Sequence, residues 1–322
     1  MARSSNAVNI RLISKISTLY YHYDLTQQQI ANRLRLSRPK VSRLLKQAKE
    51  LDIVQITVKT PEDDFVDLEN NLENKFKLKE VIITEVDLPE SSESDFMMKR
   101  RLGLAGANYL DRTISEKDKI GVTWGTTLRQ LVDMVQPKLM KDVHVIQTLG
   151  GVGPPEAKAH GTDISRSLSH LLNCKLTVLP APAIVENIEA KKVLISDRRV
   201  KSALKLYNQI NLAFVGIGAI ETNPVLKKNN IEIPDSLREE IINSNAIGDI
   251  GLNFFDIDGN EVKTGLNELL LGISLEQLKN VDMVVGIAGG EKKFNSILGA
   301  LRGEFINVLI TDHITAGKLA EI

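Results

Sequence analysis

Hydrophobic residues in the first 60 positions recur at helical spacing in three consecutive segments. Residues 8–22 repeat isoleucine and leucine at intervals of three, which predicts a first helix. Residues 26–51, TQQQIANRLRLSRPKVSRLLKQAKEL, contain two shorter apolar stripes separated by a turn of three residues. Two helices joined by so short a turn predict a helix-turn-helix, and we expect a DNA-binding domain over residues 1–60.

The ends of the two shorter helices carry residues that cap helices. Thr26 is the expected N-cap of the first, and Gln29 three residues later completes a capping box. Ser37 is the expected N-cap of the second, with Pro39 in its first turn, where a missing N–H is tolerated. Arg35 occupies the turn position that usually holds glycine, and a positive φ there would cost about 1 kcal/mol.

The second of these helices is expected to present a basic face. Val41, Leu44 and Leu45 point inward in the predicted arrangement, so the remaining side chains face outward. A recognition helix places such side chains on base edges and on phosphates. The outward-facing residues are Arg38, Lys40, Ser42, Arg43 and Lys46.

Charge is distributed unevenly, although the net charge of the 322 residues is zero. Residues 1–60 carry 11 Lys and Arg against 3 Asp and Glu, a net of +8, so the remainder carries −8. A basic N-terminal segment followed by an acidic remainder is typical of a DNA-binding domain that is coupled to a domain with a second activity. Tyr21 and His22, beside the start of the second helix, either contact DNA phosphates or close the small core.

Two segments connect the predicted DNA-binding domain to the rest of the chain. Residues 53–58, IVQITV, alternate like a strand. Residues 62–76 then repeat apolar side chains at steps of three and four, with acidic residues on the other faces. We predict a linker helix within residues 61–77 that either docks onto the larger domain or pairs with its copy in a second subunit. Pairing is favoured, because DNA-binding proteins of this kind usually read two half-sites.

From about residue 78, short apolar runs alternate with amphipathic segments, which predicts an effector-binding domain over residues 78–322. The expected strands are 80–86, 119–124, 143–149, 176–181, 212–216, 281–287 and 307–311. The expected helices are at about 96–111, 126–136, 162–172, 198–209, 235–243 and 292–301. This alternation predicts an α/β, Rossmann-like domain with a mostly parallel sheet covered on both faces.

Several predicted strands end in glycine-rich segments. Ligands of an open α/β sheet bind beyond the carboxyl ends of its strands, and helix N-termini there favour an anion. With Thr126, Thr127 and Lys292 or Lys293, these segments predict a site for a phosphate; the alternative is that the glycines merely end strands. The segments are WGTT at 124–127, LGG at 149–151, VGIG at 215–218 and AGGEKK at 288–293.

Two carboxylate positions have alternative interpretations. Asp249, in IGDI, either accepts hydroxyl hydrogen bonds from a sugar near the anion site or caps a turn. Asp256 and Asp258, in DIDGN, resemble part of a calcium loop but lack the spacing to a downstream glutamate. We interpret this second pair as a turn.

Several other functions lack the residues that they require. No G-x-G-x-x-G or GxxxxGK[ST] motif is present, so a dinucleotide or nucleoside triphosphate site is not expected. The five histidines show no metal spacing, and no nucleophile accompanies Asp312-His313, so we predict no metal, no cofactor and no catalytic residue. A single cysteine, no secretory signal and no apolar run of 18 residues predict a cytoplasmic protein without membrane contact.

Seven segments of the chain resemble, in order, those of the SorC family of bacterial transcription regulators. They are YYHYDLTQQQIANRLRLSRPKVSRLLKQAKEL, GVTWGTT, LGG, FVGIGAI, GDIGLNFFDIDGN, VGIAGGEKK and NVLITDHITA. The resemblance spans about residues 8–320. It implies a repressor or activator of a sugar-use operon, a homo-oligomer (dimer or tetramer), and a C-terminal domain similar to sugar-phosphate isomerases and deaminases without their catalysis.

The resemblance also implies which residues contact each ligand. Phosphate contacts are expected from Gly125, Thr126, Thr127, Gly150, Gly151 and Lys293. Sugar hydroxyl contacts are expected from Asp249, with Phe254 lining the pocket. Contacts to operator DNA are expected from Tyr20, Tyr21, Gln27, Arg38, Lys40 and Arg43.

Two functions remain as hypotheses, beside a third option of a phosphosugar-binding scaffold without a specific DNA site. The first is a DNA-binding transcriptional regulator of a carbohydrate-use operon, most simply a homotetrameric repressor, controlled by a phosphorylated sugar bound to the C-terminal domain. The alternative is an active sugar-phosphate isomerase or deaminase with a DNA-binding appendage. The sequence offers no base paired with a ring-opening histidine for that alternative. Segments 152–163 and 182–200 are the candidate loops for recognising the sugar.

Overall fold

The computed structural model of the chain describes residues 2–56, 65–86, 92–152, 161–227 and 233–322. The chain divides into two compact units, Met1–Glu62 and Asp63–Ile322. Each unit has a hydrophobic core of its own.

Three helices form the described part of the smaller unit: α1 (Ala2–Tyr21), α2 (Gln27–Leu34) and α3 (Arg38–Glu50). The predicted capping box is present, since Gln29 N donates to Thr26 Oγ1 (3.2 Å) and Thr26 N donates to Gln29 Oε1 (2.8 Å). Arg35 adopts the left-handed conformation, with φ 52° and ψ 45°. Ser37 is the N-cap residue of α3, but its side chain makes no capping hydrogen bond.

The core of the smaller unit lies where these helices meet. Its buried residues are Ile13, Ile16, Leu19, Ile30, Ala31, Val41, Leu44, Leu45 and Ala48. Ile53 and Val54 both pack against it, so neighbouring side chains face the same core instead of alternating. The predicted strand over 53–58 is therefore wrong at residues 53–56, which form no strand, and residues 57–58 lie outside the described residues.

Ten strands occur in the described part of the larger unit. They are β1 (Glu80–Thr84), β2 (Lys119–Val122), β3 (His144–Gln147), β4 (Lys175–Thr177), β5 (Leu212–Gly216), β6 (Gly218–Ala219), β7 (Gly248–Ile250), β8 (Asn253–Phe255), β9 (Met283–Ile287) and β10 (Val308–Asp312). Seven of them form one sheet of order β1-β10-β9-β5-β2-β3-β4, with every adjacent pair parallel. The predicted α/β fold with a parallel sheet is confirmed.

The remaining strands, β6, β7 and β8, form a small antiparallel sheet that the sequence pattern did not predict. Both faces of the large sheet are buried. Ala213 and Val215 belong to the core on one face, and Leu212 and Phe214 belong to the core on the other. Such two-sided burial is expected of a parallel sheet that is covered by helices.

The helices of the larger unit begin with α4 (Val66–Phe76). The others are α5 (Ser92–Thr113), α6 (Thr126–Met134), α7 (Gly161–Leu171), α8 (Ile188–Ser196), α9 (Arg198–Leu206), α10 (Asp235–Ile242), α11 (Gly265–Leu269), α12 (Leu275–Lys279), α13 (Phe294–Arg302) and α14 (His313–Glu321). Helix α8 lies within segment 182–200, for which a loop was predicted, and residues 153–160 of the other predicted loop lie outside the described residues. No described helix is long and apolar enough to cross a bilayer.

Helix α4 corresponds to the predicted linker helix, whose first residues lie outside the described residues. Leu72 is completely buried, and Phe65, Leu68 and Phe76 pack against the same core of the larger unit. The apolar face of α4 therefore docks onto its own chain, which is one of the two predicted alternatives. Pairing with a second copy would have to use the polar faces.

Glutamates of α4 also cover the sheet edge formed by β1. Val81 N donates to Glu73 Oε1 (2.9 Å), and Ile83 N donates to Glu69 Oε1 (2.8 Å). Four residues along a helix and two along a strand both span roughly 6 Å, so the two pairs match in spacing. Two edge N–H groups without a strand partner are thereby satisfied.

Candidate ligand site at the carboxyl edge of the sheet

Three neighbouring strands, β9, β5 and β2, end at the same edge of the large sheet. Gly216 is the last residue of β5, Gly289-Gly290 lie just beyond β9, and Trp124-Gly125 lie just beyond β2. The small sheet begins directly after β5 and carries Asp249 on β7. It brings Asp249 close enough to Lys293 for their charges to interact.

Asp249 is a buried carboxylate, 4% exposed. Its Oδ1 accepts a hydrogen bond from Asn223 Nδ2 (2.9 Å), and its Oδ2 accepts one from Leu252 N (3.0 Å). Burial raises the pKa of Asp249, while these hydrogen bonds and the charge of Lys293 lower it in part. Gly218 pairs with Asp249 across the small sheet, and a Cβ there would overlap Asp249 Oδ1. Glycine at 218 is therefore required for this placement of the carboxylate.

Lys293 is partly buried at the end of a short 3-10 turn, Glu291–Lys293. Burial and the nearby ammonium of Lys99 lower the pKa of Lys293 to about 8, against the attraction of Asp249 and Asp95. An anion bound between the two ammonium groups would relieve their repulsion. Two carboxylates accompany the two ammonium groups, since Lys99 Nζ donates to Asp95 Oδ2 and Asp249 is buried near Lys293.

Gly125, the N-cap residue of α6, has φ 132° and ψ 157°, a conformation that residues with a Cβ rarely adopt. Apart from its neighbours along the chain, no atom lies within 4 Å of the position that a Cβ would occupy, so its surroundings are open. Thr126 is exposed, whereas Thr127 is buried. The N-terminus of α6 therefore adjoins accessible space, as an anion site requires.

Gly150 and Gly151 engage their N–H groups inside the protein. Gly150 N donates to Leu271 O (3.0 Å), and Gly151 N donates to Ala181 O (3.0 Å). A Cβ on Gly150 would lie 2.5 Å from the backbone of Pro182. These two glycines allow loops to pack closely, and neither presents an unengaged N–H to a phosphate.

Phe254 is completely buried and lies opposite Asp249 in the β7–β8 pair. It belongs to a hydrophobic cluster with Leu149 and Leu252, against which Trp124 also packs. Phe254 therefore supports the residues around the site by packing, and its ring is not exposed to solvent.

A cavity of about 770 Å³ lies along the whole of α6 and beside the first two turns of α5 and α7, and its volume is within the usual range of ligand pockets. Its lining residues are Asp95, Phe96, Lys99, Thr126, Arg129, Gln130, Asp133, Asp163 and Ser167. Only Thr126 was among the predicted contacts, since strand-end motifs give no information about side chains from α5 and α7. Lys99 and Asp95 line this cavity and also influence Lys293, so cavity and lysine belong to one region.

Asp256 forms a turn, as predicted. Its Oδ1 accepts hydrogen bonds from Asp258 N (3.1 Å) and Asn260 N (2.8 Å). No group of three or more His, Cys, Asp or Glu side chains in the described parts of the chain is arranged to hold a metal ion.

The basic residues predicted to contact DNA lie on the surface of α3. Arg38, Lys40 and Arg43 are exposed, and Arg43 Nε donates to Pro39 O within the helix (3.4 Å). They share α3 with Val41, Leu44 and Leu45, which are buried as predicted. The smaller unit thus presents basic side chains at the start of α3.

The aromatic residues at the end of α1 differ in burial. Tyr20 packs partly against the three-helix core and meets the Tyr21 ring edge-on, with centroids 4.9 Å apart. Tyr21 and His22 are exposed, so the alternative that they close the core is wrong. Gln27, in the first turn of α2, is partly buried.

Comparison with known proteins assigns the chain to a family. The family model described as "Putative sugar-binding domain" matches residues 60–321. The sorbitol operon regulator of Klebsiella pneumoniae is 33% identical over 320 residues, covering 98% of this chain and 99% of that protein. The chain belongs to the SorC family of sugar-binding transcriptional regulators.

Other members of the SorC family match over the same extent. The deoxyribonucleoside regulator of Bacillus subtilis is 32% identical over 309 residues, covering 96% of this chain and 97% of that protein. The crystal structure of full-length SorC from Klebsiella pneumoniae matches with a TM-score of 0.74 and 31% identity, covering 97% of this chain and 98% of that one. The match to a full-length SorC regulator includes both units, and these relatives are all named as regulators.

Proposed function

We propose that the effector of this SorC-family regulator is a phosphorylated sugar that binds beside Lys293. The observation that carries the proposal is the pair of ammonium groups, Lys293 and Lys99, next to the buried carboxylate Asp249. A phosphate would bind the lysines and the N-terminus of α6, as anions commonly do. Asp249 and the polar lining of the cavity would accept hydrogen bonds from sugar hydroxyls.

The nature of the sugar is supported by the relatives and by the cavity. Two of them are named for a sorbitol operon and for deoxyribonucleosides, so carbohydrate chemistry is common to both names. The cavity lining includes three carboxylates, Asp95, Asp133 and Asp163, which suit a polyhydroxylated ligand. We assign Asp249 and Lys293 to binding and propose no catalytic activity.

We further propose that the smaller unit is a helix-turn-helix that binds operator DNA. Helix α3 would enter the major groove with Arg38, Lys40 and Arg43, while Tyr20, Tyr21 and Gln27 would contact the backbone near the start of α2. Two such units on two half-sites require an oligomer, for which we propose a homotetrameric repressor acting in the cytoplasm. Effector binding would change operator affinity if the effector prefers one arrangement of the subunits.

A thermal-shift screen with sugar phosphates and their unphosphorylated parents tests the effector class. A ligand at about 100 times its Kd stabilises the native state by about 2.7 kcal/mol, which corresponds to a rise in Tm of roughly 5 to 10 °C. We expect one phosphorylated sugar to give such a shift and its parent sugar to give none. A shift with the parent alone, or none with any phosphate, would contradict the proposal.

Alkaline pH is expected to weaken binding of the phosphorylated effector. The free protein loses the Lys293 proton above its pKa of about 8, and a bound phosphate would hold that proton. Binding above that pH therefore takes up a proton, and the affinity should fall by up to about tenfold per pH unit. Calorimetric titration between about pH 7 and 9.5 measures this decline.

Lys293→Arg is the matched control for the pH dependence, since arginine keeps its charge throughout this range. We expect its affinity to stay nearly constant with pH. An equal decline in the variant and the unmodified protein would show that Lys293 is not the titrating group.

A further inference from the structure

Asp312, which the ligand site does not use, is the N-cap residue of α14 and is 1% exposed. Its Oδ1 accepts hydrogen bonds from Ile314 N (3.1 Å) and Thr315 N (2.9 Å). Its Oδ2 accepts one from Gly290 N (2.7 Å) and one from Thr315 Oγ1 (2.7 Å). One carboxylate therefore fixes both the start of α14 and residues 289–293, which we call the ligand loop.

Further contacts join α14 to the ligand loop. Lys318 Nζ donates to Glu291 Oε1 (2.6 Å), an exposed pair that contributes little by itself. Gly289 permits the close approach of the carboxylate, since a Cβ there would overlap Asp312 Oδ2. The ligand loop is thus held against α14 at Gly290 and at Glu291.

The same helix contacts the linker helix α4 and the residue that precedes it. The His313 ring stacks on the Phe65 ring, with centroids 5.8 Å apart and an interplanar angle of 26°. His313 Nδ1 also accepts a hydrogen bond from Val86 N (3.2 Å). Near the far end of α14, Lys75 Nζ of α4 donates to Ala320 O (3.0 Å). Asp312 therefore contacts the ligand loop, and the adjacent His313 contacts Phe65, which precedes the linker helix.

We propose that α14 transmits the occupancy of the ligand loop to the linker helix α4, with Asp312 as the positioning residue. Helix α4 is the first helix of the larger unit and follows the smaller unit, which ends at Glu62, along the chain. The link is a contiguous set of hydrogen bonds and ring packing. The inference rests on the proposed function for the ligand, and its first test uses no ligand.

Amide hydrogen exchange of the full chain without ligand tests the link. Asp312→Asn keeps an oxygen that can cap α14, but places an amide donor where Oδ2 accepts from Gly290. Loss of a hydrogen bond to a charged group is expected to speed exchange by at least about fivefold. We expect this increase in the ligand loop and also in α4. An increase confined to the ligand loop would overturn the proposal.

Asp197→Asn is the matched control for this experiment. Asp197 caps α9 in the same way, accepting from Arg199 N (2.8 Å) and Val200 N (3.3 Å). It should change exchange in neither the ligand loop nor α4. If it changes both as Asp312→Asn does, the effect reflects general loosening and the proposal is wrong.

Phe65→Leu tests the link from its other end and keeps an apolar side chain at that position. Removing the ring that stacks on His313 is expected to speed exchange in the ligand loop, because the adjacent Asp312 accepts the Gly290 N–H. Unchanged exchange at residues 289–293 would overturn the proposal even if Asp312→Asn fails to fold.

Inorganic phosphate serves as the probe for the response to an anion. In the unmodified chain, phosphate should slow amide exchange in both the ligand loop and α4. In the Asp312→Asn variant, phosphate should slow exchange in the ligand loop alone. Equal slowing of α4 in both proteins would overturn the link. If phosphate slows neither segment in the unmodified chain, the proposed function fails, and the ligand-free comparison still decides the link.

Discussion

Lys293→Ala is expected to lower the affinity for the phosphorylated effector by roughly 30-fold or more, because it removes a charge-assisted hydrogen bond in a partly buried site. Operator binding without effector should not change, since Lys293 lies in the larger unit. The free energy of unfolding should stay the same or rise, because burial and Lys99 both oppose the charge on Lys293 in the folded protein. The effector should then alter operator affinity only at concentrations roughly 30-fold higher or more.

Lys292→Ala is the control for this result. Lys292 is the neighbouring residue in the same turn and is exposed, so the two variants change net charge equally. Effector titration of operator binding should show a normal midpoint for Lys292→Ala and a midpoint roughly 30-fold higher or more for Lys293→Ala. Equal loss in both variants would indicate a general charge effect, and a normal response in both would place the phosphate elsewhere.

Arg43→Ala is expected to weaken operator binding by about 5- to 150-fold, corresponding to the 1–3 kcal/mol of a specific base contact. Arg43 is exposed on α3 and donates a weak hydrogen bond to Pro39 O, so the fold of the smaller unit should persist. If Arg43 contacts a phosphate instead, affinity should fall for all sequences and the salt dependence should decrease by about one counterion.

Lys49→Ala provides the comparison, because Lys49 is exposed in the last turn of the same helix. The N-terminal part of a recognition helix contacts the bases, so Lys49→Ala should retain most of the affinity. Operator binding is best measured at two salt concentrations for both variants. Unchanged affinity in Arg43→Ala would remove α3 from the DNA interface.

The parallel sheet was predictable because its strands are buried on both faces and appear as continuous apolar runs in the sequence. The small sheet was missed because strands of two or three residues carry no periodic signal. Helix α8 was missed for a different reason. It buries none of its residues completely, and Val193 is 69% exposed, so no apolar stripe marks it.

The sequence predicted only those site residues that belong to a short, recognisable motif. Lys293 and Asp249 come from short motifs, and the structure brings their charges together. The Gly150 N–H donates to Leu271 O and the Gly151 N–H donates to Ala181 O. A strand-end motif predicts neither the contact with Leu271 nor the side chains of α5 that line the cavity. Long-range contacts of this kind depend on how loops cross, which the pattern of apolar residues does not specify.

The two glutamates on α4 also determine where the larger unit can be cut. A fragment that begins at Leu78, the predicted domain boundary, would lose Glu69 and Glu73 and leave Val81 N and Ile83 N without partners. A bare strand edge recruits strands from other chains, so such a fragment would be prone to aggregate. The linker helix therefore covers the sheet edge, and the autonomous folding unit starts near residue 63.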